Sequence, residues 1–585
     1  MNNRSFRVDD NSINSFIPHY SGTNGSIATH SNLSATTAYS ILNIDKGNAF
    51  DAAAGAMLVE SLVNPQMFGM GGEGVMILKP SSSKNPIVLN GNTKSPINFD
   101  FLNLVTKGYR EVPDQGILCA GVPSAFSSIF RLLQNYGNLE FRIIAQYALK
   151  YARDGFPIHS GIVNQKKFGL KDLEDKFFKD WKNSKNLYLK DNVLPKIGSL
   201  FYNKPFAALL DYLSNYEKKL TGNRKSNLNK LHDAFYKGDI ASTIIKHSKN
   251  RDGLLKREDL SNFNIGFEKT ISEKFGDYEI HKTNIWGQGL TTLSMMKLSS
   301  KLKITSLNNE ENIHKFIEIL KLSFADREMY FTGQKNPKIK ANHLLDDKYL
   351  SKRIKLISNK VIEDIIPGDP LSNKPLLPID NEIKPWGAGT VHISIIDKDN
   401  NAISCTPSGG WLKSNEVIKD LGFPLGNRLM TFYLSKPGHV NFIAPSQQPR
   451  TTLSPTLIIN KKDKEILSCG TMGGDAQDQW QTQFLMNYIF ANKPIDVALD
   501  EPRVSSEHLP AYFHPHDPNN KQLLLEERLS PFIKKLNKRG HITSSVTDWS
   551  EGFILCARKK GKIYDAYADI RSYKSQIFQA QALSW

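Results

Sequence analysis

A threonine that follows a run of small residues stands out as a candidate for covalent chemistry. The stretch is WGAGTVHISIIDKDNNAISCT, Trp386 to Thr406. A threonine Oγ is a weak nucleophile at its free pKa and needs a base beside it. Cutting the Gly389–Thr390 bond would supply one in the same residue, because an α-amine titrates at about 7.7–8.0. Gly389 suits such a cut, since a residue without Cβ tolerates strained backbone. Thr390 Oγ would attack the Gly389 carbonyl and give an ester that water hydrolyses. Strand alternation puts Thr390, His392 and Ser394 on one face, and Val391, Ile393 and Ile395 on the other. DKDNN reads as the turn of a hairpin whose first strand starts at Thr390.

A second chemical element is SCGTMGGDAQDQWQTQFLMNYIF, Ser468 to Phe490. A strand up to Gly470 leads into Gly473 and Gly474, and Trp480, Phe484 and Tyr488 then recur at helical spacing. Backbone N–H groups between a strand and a helix N-terminus can receive a developing oxyanion. Alone, the pair also reads as a plain glycine turn.

The elements that must position these residues are legible in outline. An alanine-rich helix spans about Ala49 to Leu62 and ends at Asn64-Pro65. Phe126, Ile129, Phe130 and Leu133 mark a helix, followed by another from Leu139 to Arg153 with Gly155 as its cap. Residues 163–250 read as lysine-rich helices, and Ile313, Phe316, Ile317 and Leu320 as a further buried stripe. From Pro385 onward the pattern turns to strands and glycines. Helices in the first two-thirds and strands in the last third predict one large α/β (α+β) body.

Composition narrows the function. The chain has 585 residues, of which 40% are hydrophobic, and its mean hydropathy is −0.39. No apolar run reaches membrane-span length, and the start lacks a signal h-region, so the expectation is a cytoplasmic protein without a membrane partner. Cys119, Cys405, Cys469 and Cys556 are scattered, which argues against a disulfide framework or a thiolate zinc site. No ligand cluster at metal spacing is evident, so neither metal nor cofactor is expected. Net charge is +17, but the lysines are dispersed among acids and no nucleic-acid motif appears, so no nucleic-acid partner is expected. Gly69, Gly71 and Gly74 satisfy G-x-G-x-x-G, yet they follow a helix and open a strand, the reverse of a dinucleotide site. They read instead as a tight turn with close backbone approach.

Taken together, these pieces resemble the gamma-glutamyltranspeptidase family over nearly the whole chain. GNAFDAAAGAMLVESLVNPQMFGMGGEGVMIL, GVPSAF, ALKYARDGFPI and KLSFADREMYFTG match its large-subunit segments in order. TVHISIIDKDNNAIS, PRTTLSPTLII, GTMGGD, EPRVSSEH and YDAYADIRS match its small subunit. The resemblance implies an N-terminal nucleophile hydrolase, a four-layer αββα sandwich made as a precursor. It would cut itself into a large subunit, 1–389, and a small one, 390–585, which stay associated. Thr390 would be the nucleophile, Gly473 and Gly474 the oxyanion glycines, and Ser408 the hydroxyl beside the nucleophile.

The residues that would hold a glutamyl group depart from the family pattern. The arginine for the α-carboxylate maps onto Asn92, and the two serines that assist it onto Thr451 and Thr452. Around the α-amino group an asparagine becomes Gly410, a glutamine Arg428 and an aspartate Thr431. An ammonium beside an arginine in a partly buried site is costly. Arg428, with Arg450, would instead suit an acyl group bearing a carboxylate and no amine; the alternative for Arg428 is a structural salt bridge. The expected function is a self-processing threonine amidohydrolase acting on γ-glutamyl or related acyl amides, small or peptidic, with possible transfer to an acceptor amine. The alternatives are an acylase for glutaryl-type amides and an inert relative that binds a partner. The Ser435–Pro449 segment is shorter than in relatives with a lid, which implies a more open site.

Overall fold

The computed structural model describes residues 15–372, 376, 389–513, 521–574 and 579–585; the expected strand onset at Pro385–Ala388 lies outside them. The alanine-rich helix runs Ala49–Val63 and opens with a capping box. Asn48 Oδ1 accepts from the N–H groups of Phe50 and Asp51, and the Asp51 carboxylate accepts from the Asn48 N–H. These bonds satisfy donors that a helix start leaves open. Pro65 cannot continue the helix. Every residue of the helix is buried, as expected for one apolar on all sides.

Beside a three-stranded sheet of Val504–Ser506, Gln522–Glu526 and Ile542–Val546 and a two-stranded one of Phe156–Pro157 and Leu200–Phe201, most strands form two seven-stranded sheets. One runs His19–Gly22, Ile563–Ala568, Ile554–Lys560, Glu465–Thr471, Thr456–Asn460, Tyr278–Lys282, Ile271–Phe275. The other runs Gln581–Ser584, Ser26–Thr29, Ile393–Ile396, Ala402–Ser408, Glu73–Lys79, Ile87–Leu89, Phe267–Lys269. Neighbouring strands within both are antiparallel. Strands from before residue 389 thus sit among strands from after it in both of these sheets. Apart from Glu73–Lys79, which the glycine cluster was expected to open, the expectation that the first two-thirds is helical missed these early strands; most are short and half-buried or lack a clear alternation.

Side-chain parity assigns four layers. Met76 and Leu78 pack with the helices Ala49–Val63, Ala125–Tyr136 and Phe141–Asp154, whereas Val75 and Ile77 meet Leu457 and Ala557 of the opposite sheet. On that opposite sheet, Ile458, Leu467 and Cys556 face the helices Gly289–Lys301, Glu310–Tyr330 and Gln477–Leu485. The order is helix, sheet, sheet, helix, the αββα sandwich that the resemblance implies. The four cysteines are buried and free. No helix among the described residues is long and apolar enough to cross a membrane.

The space between the sheets changes character along its length. At one end it holds Ile396, Ala402, Leu457 and Ala557. Toward the start of the Ile393–Ile396 strand it becomes polar. Ser468 Oγ donates to Ser394 Oγ at 2.8 Å, and Ser404 Oγ donates to the Cys469 carbonyl at 3.0 Å. The His392 ring lies between Thr406 Oγ1 at 3.0 Å and Ser394 Oγ at 2.8 Å. It occupies the space left by Gly470, where a Cβ would collide with it. Burial foremost, then His30 and Lys282, holds the His392 pKa well below the ordinary histidine value.

The neutral ring gives a signed pH dependence. Unfolded, this histidine gains a proton near pH 6.5; folded, it does not, so its contribution is complete above pH 6.5 and declines as pH falls below it. The loss is up to about 1.4 kcal/mol per pH unit. Thermal melting at pH 7.5 and 5.5 is expected to show a smaller acid-induced fall for His392→Gln than for the unsubstituted chain.

Candidate active site

The Ile393–Ile396 ladder pairs Ile393 with Cys405 and Ser394 with Ser404. The same register, carried three residues back, places Thr390 opposite Ser408, and the two form an isolated bridge. The regular strand therefore starts at Ile393 and not at Thr390. Cross-strand partners of this kind have adjacent side chains on one face, and Thr390 Oγ1 lies 3.2 Å from Ser408 Oγ. Three donors converge on the Gly389 carbonyl oxygen: Thr390 Oγ1 at 2.8 Å, Ser408 Oγ at 2.7 Å and Trp411 Nε1 at 2.8 Å. Thr390, Ser408 and Trp411 are all buried. Space calls for a glycine at 389: a Cβ there would meet Gln66 O and Met67 Cα at 3.0 Å and Trp411 Nε1 at 3.2 Å.

The glycine cluster at 69–74 builds the opposite wall. Gly69 N–H donates to the Gly409 carbonyl, and Gly426 N–H to the Gly71 carbonyl, each at 2.9 Å. A Cβ at Gly71 or Gly72 would run into the backbone of Pro424 or Ser408. The cluster thus serves close backbone approach and not a phosphate. It delivers Glu73, at the start of its strand, to Arg428 in the short turn Arg428–Thr431. Arg428 Nε donates to Glu73 Oε1, and Nη2 donates to Ser408 Oγ at 2.9 Å. Burial pushes the Glu73 carboxyl pKa up, and the Arg428 guanidinium opposes that. The positive charge expected here is therefore met by a carboxylate that sequence reasoning missed. Glu73 Oε2 and Arg428 Nη1 each remain buried without a hydrogen-bond partner.

Arg450 is occupied elsewhere. Its Nη2 contacts Glu328 Oε2 at 2.8 Å, and its Nη1 donates to the Glu328 carbonyl at 3.1 Å. Although burial works against it, Arg450, with His439 and Arg327, holds the Glu328 carboxyl well below the usual range. A substrate carboxylate would have to compete with that pair. Thr451 is fixed through its backbone, its N–H donating to the Trp286 carbonyl at 2.7 Å. Thr452 Oγ1 is buried without a partner. Asn92 bridges two segments, its Nδ2 donating to the Pro449 carbonyl at 2.5 Å while its Oδ1 accepts from Thr93 N–H at 3.0 Å. Thr431 Oγ1 closes its own turn on the Arg428 carbonyl at 2.8 Å.

The Gly473–Gly474 turn lies between the strand Glu465–Thr471 and the helix Gln477–Leu485. Gly473 has φ 113° and Gly474 φ 56°, conformations that favour glycine. The His392–Gly470 and Ser394–Ser468 contacts run along the seam between the two sheets. The turn is pinned by Asp475, which pairs with Arg327 Nη1 and accepts from the Tyr512 N–H at 3.0 Å. Gln288 joins them, accepting from Arg327 Nη1 at 2.7 Å and donating to the Gly474 carbonyl at 3.2 Å. The following helix is locked through Asp478, which accepts from Ser454 Oγ and Thr292 Oγ1 at 2.6 Å each.

Sequence reasoning missed Glu73, Trp411, Gln288, Arg327 and Asp475. Glu73 and Asp475 lie inside quoted motifs, where an acid among glycines was the available signal. Nothing local marks Trp411. Among the described residues one group has metal-ligand composition, His314, Glu318 and His541, with donor atoms within 4.8 Å of one another. Within and around it, His314 Nδ1 and His541 Nε2 share a hydrogen bond at 2.9 Å, His314 Nε2 bonds the Ser358 carbonyl, and Lys321 pairs with Glu318 at 2.8 Å.

Comparison with known proteins places the chain among relatives of the same fold. A glutathione hydrolase-like YwrD proenzyme of Bacillus subtilis (strain 168) is 27% identical over 512 residues, covering 86% of this chain and 89% of that one. The solved structure of LmbA2991HD superposes with a TM-score of 0.90 at 27% identity, over 98% of this chain and 100% of that one. The cephalosporin acylase from Bacillus halodurans shares the fold, with a TM-score of 0.84 at 23% identity over 99% of each chain. The gamma-glutamyltranspeptidase pattern matches residues 34–578, so the chain belongs to the gamma-glutamyltranspeptidase family.

Proposed function

We propose that this N-terminal nucleophile hydrolase matures by cutting its own Gly389–Thr390 bond. The new amino-terminal Thr390 then hydrolyses γ-glutamyl or related acyl amides through an acyl-enzyme, with transfer to an acceptor amine as a second outcome. The observation that carries this reading is the position of Thr390 Oγ1. It lies 2.8 Å from the carbonyl oxygen of the residue before it, in a buried setting made for that carbonyl. Once cut, the α-amine of Thr390 would serve as base to its own hydroxyl. The Gly473–Gly474 turn, held by Asp475, Arg327 and Gln288, would receive the acyl oxyanion.

The pieces 1–389 and 390–585 would stay together, because each seven-stranded sheet draws strands from both. The expected result of expressing the chain is two fragments on a denaturing gel, co-migrating under native conditions. Mass spectrometry should find the smaller beginning Thr-Val-His-Ile. Thr390→Ala should remain a single inactive chain and Thr390→Ser should still be cut. A full-length chain that never processes would favour the inert, partner-binding alternative.

Specificity turns on Glu73 and Arg428. As a pair they are neutral, which weakens the expectation that Arg428 alone selects a carboxylate and rejects an amine. An incoming ammonium would find Glu73 Oε2, and a carboxylate Arg428 Nη1, both without partners in this structure. Removing the acid should expose the cation. In matured Glu73→Gln, the ratio of glutaryl-anilide to γ-glutamyl-anilide turnover is expected to rise about tenfold, the equivalent of about 1.4 kcal/mol. An unchanged ratio would separate this pair from substrate recognition.

A further inference from the structure

We infer that Ser408 and Trp411 form an oxyanion site for the self-cleavage step, distinct from the Gly473–Gly474 turn assigned to turnover. The inference rests on the reading that the chain cuts itself before Thr390. In the uncut chain the scissile carbonyl belongs to Gly389, and its oxygen accepts from Ser408 Oγ at 2.7 Å and from Trp411 Nε1 at 2.8 Å. Both are donors at the distances at which oxyanion-hole groups act. Neither N–H of the Gly473–Gly474 turn bonds this oxygen.

The local structure keeps both donors aimed. Trp411 is fully buried, and its ring is packed edge-on to Phe168 with centroids 6.1 Å apart and tilted against Phe513 at 6.5 Å. The Arg428 guanidinium lies 5.5 Å and the Lys413 ammonium 5.7 Å from its ring centroid. Its N–H is bound by Ser414 Oγ at 3.0 Å on the backbone side, leaving the indole N–H for Gly389. A buried indole needs such an acceptor. Ser408 is oriented differently. Its oxygen accepts from Arg428 Nη2, which commits its single hydrogen to the Gly389 oxygen. Arg428 is thus a positioning residue here, held in turn by Glu73.

The step balances without a further reagent. Thr390 Oγ bonds to the Gly389 carbonyl carbon, and negative charge gathers on the carbonyl oxygen between Ser408 and Trp411. Hydrogen bonds to a charged acceptor are about twice as strong as neutral ones, so both strengthen as the charge develops, which is the condition for catalysis. The C–N bond then breaks and the proton from Thr390 Oγ ends on the departing amine. Water adds to the resulting ester; its hydroxyl stays on Gly389 as the new carboxyl group, and its other hydrogen returns to Thr390 Oγ.

The test is the rate of chain cleavage after rapid dilution of denatured precursor into refolding buffer, followed by mass spectrometry. Trp411→Phe keeps the aromatic packing and the cation contacts but removes the N–H. Loss of one oxyanion donor predicts cleavage about 100-fold slower, and Ser408→Ala should slow it comparably, while Ser408→Thr should not. Hydroxylamine, which intercepts esters, should fail to rescue Trp411→Phe, because the slowed step precedes the ester. The same substitutions in a Thr390→Ala background, which cannot cut, report folding by thermal melting. Trp411→Phe cleaving within about threefold of the unsubstituted rate, or full hydroxylamine rescue, would overturn the assignment. An unsubstituted chain that is never cut, or is cut elsewhere, would instead overturn the self-cleavage reading beneath it.

Discussion

One backbone carbonyl, that of Gly389, organises the centre of this molecule. Buried carbonyls ordinarily find partners inside regular secondary structure; this one is served by a threonine hydroxyl, a serine hydroxyl and an indole N–H. To bring those groups to one atom the fold must fix the register of two strands, the path of the chain after Ser408, and a turn carrying Arg428. The glycines at 69–74 then follow as a requirement, since the segment they form packs backbone to backbone against Ser408–Gly410 and Pro424–Leu425. The Glu73–Arg428 pair is part of the same construction, and its burial makes sense only if both charges are taken inside together.

The sandwich supplies the setting by dividing its inter-sheet layer. Apolar contact at one end holds the sheets together. At the other, serine, threonine and histidine side chains satisfy one another on the strand face whose parity Thr390 shares. A hydroxyl placed in the apolar half would face a solvation cost with nothing to offset it. In the polar half its neighbours are already hydrogen-bonded, so it can be buried and remain oriented.

Much of this was legible in the sequence, for identifiable reasons. The alternation in TVHISII predicted which residues face the opposite sheet, because parity survives any shift in where the ladder formally begins. The glycine cluster was correctly separated from a nucleotide site by the order of helix and strand around it. Early strands such as Ser26–Thr29 and Phe267–Lys269 went unread, since they are short and take their identity from the neighbours that cover them. Arg428 was noticed, with a structural salt bridge as one of two readings, but its partner Glu73 lies hundreds of positions away, and only the fold reveals which acid compensates the charge. Trp411 carried no signal at all, because its role depends on where one nitrogen points.

The interleaving of strands has a consequence for how such a molecule can be assembled. The hairpin Ile393–Ser408 lies between Ser26–Thr29 and Glu73–Lys79, so neither half of the chain contains either seven-stranded sheet by itself. Two separately translated polypeptides would each expose long unpaired edges before meeting, a state prone to aggregation. Synthesis as one continuous chain guarantees equal numbers of both halves and keeps them within reach while the sheets close. Under the proposed cleavage, the peptide link before Thr390 would be a temporary tether, needed for construction and dispensable once the architecture has formed.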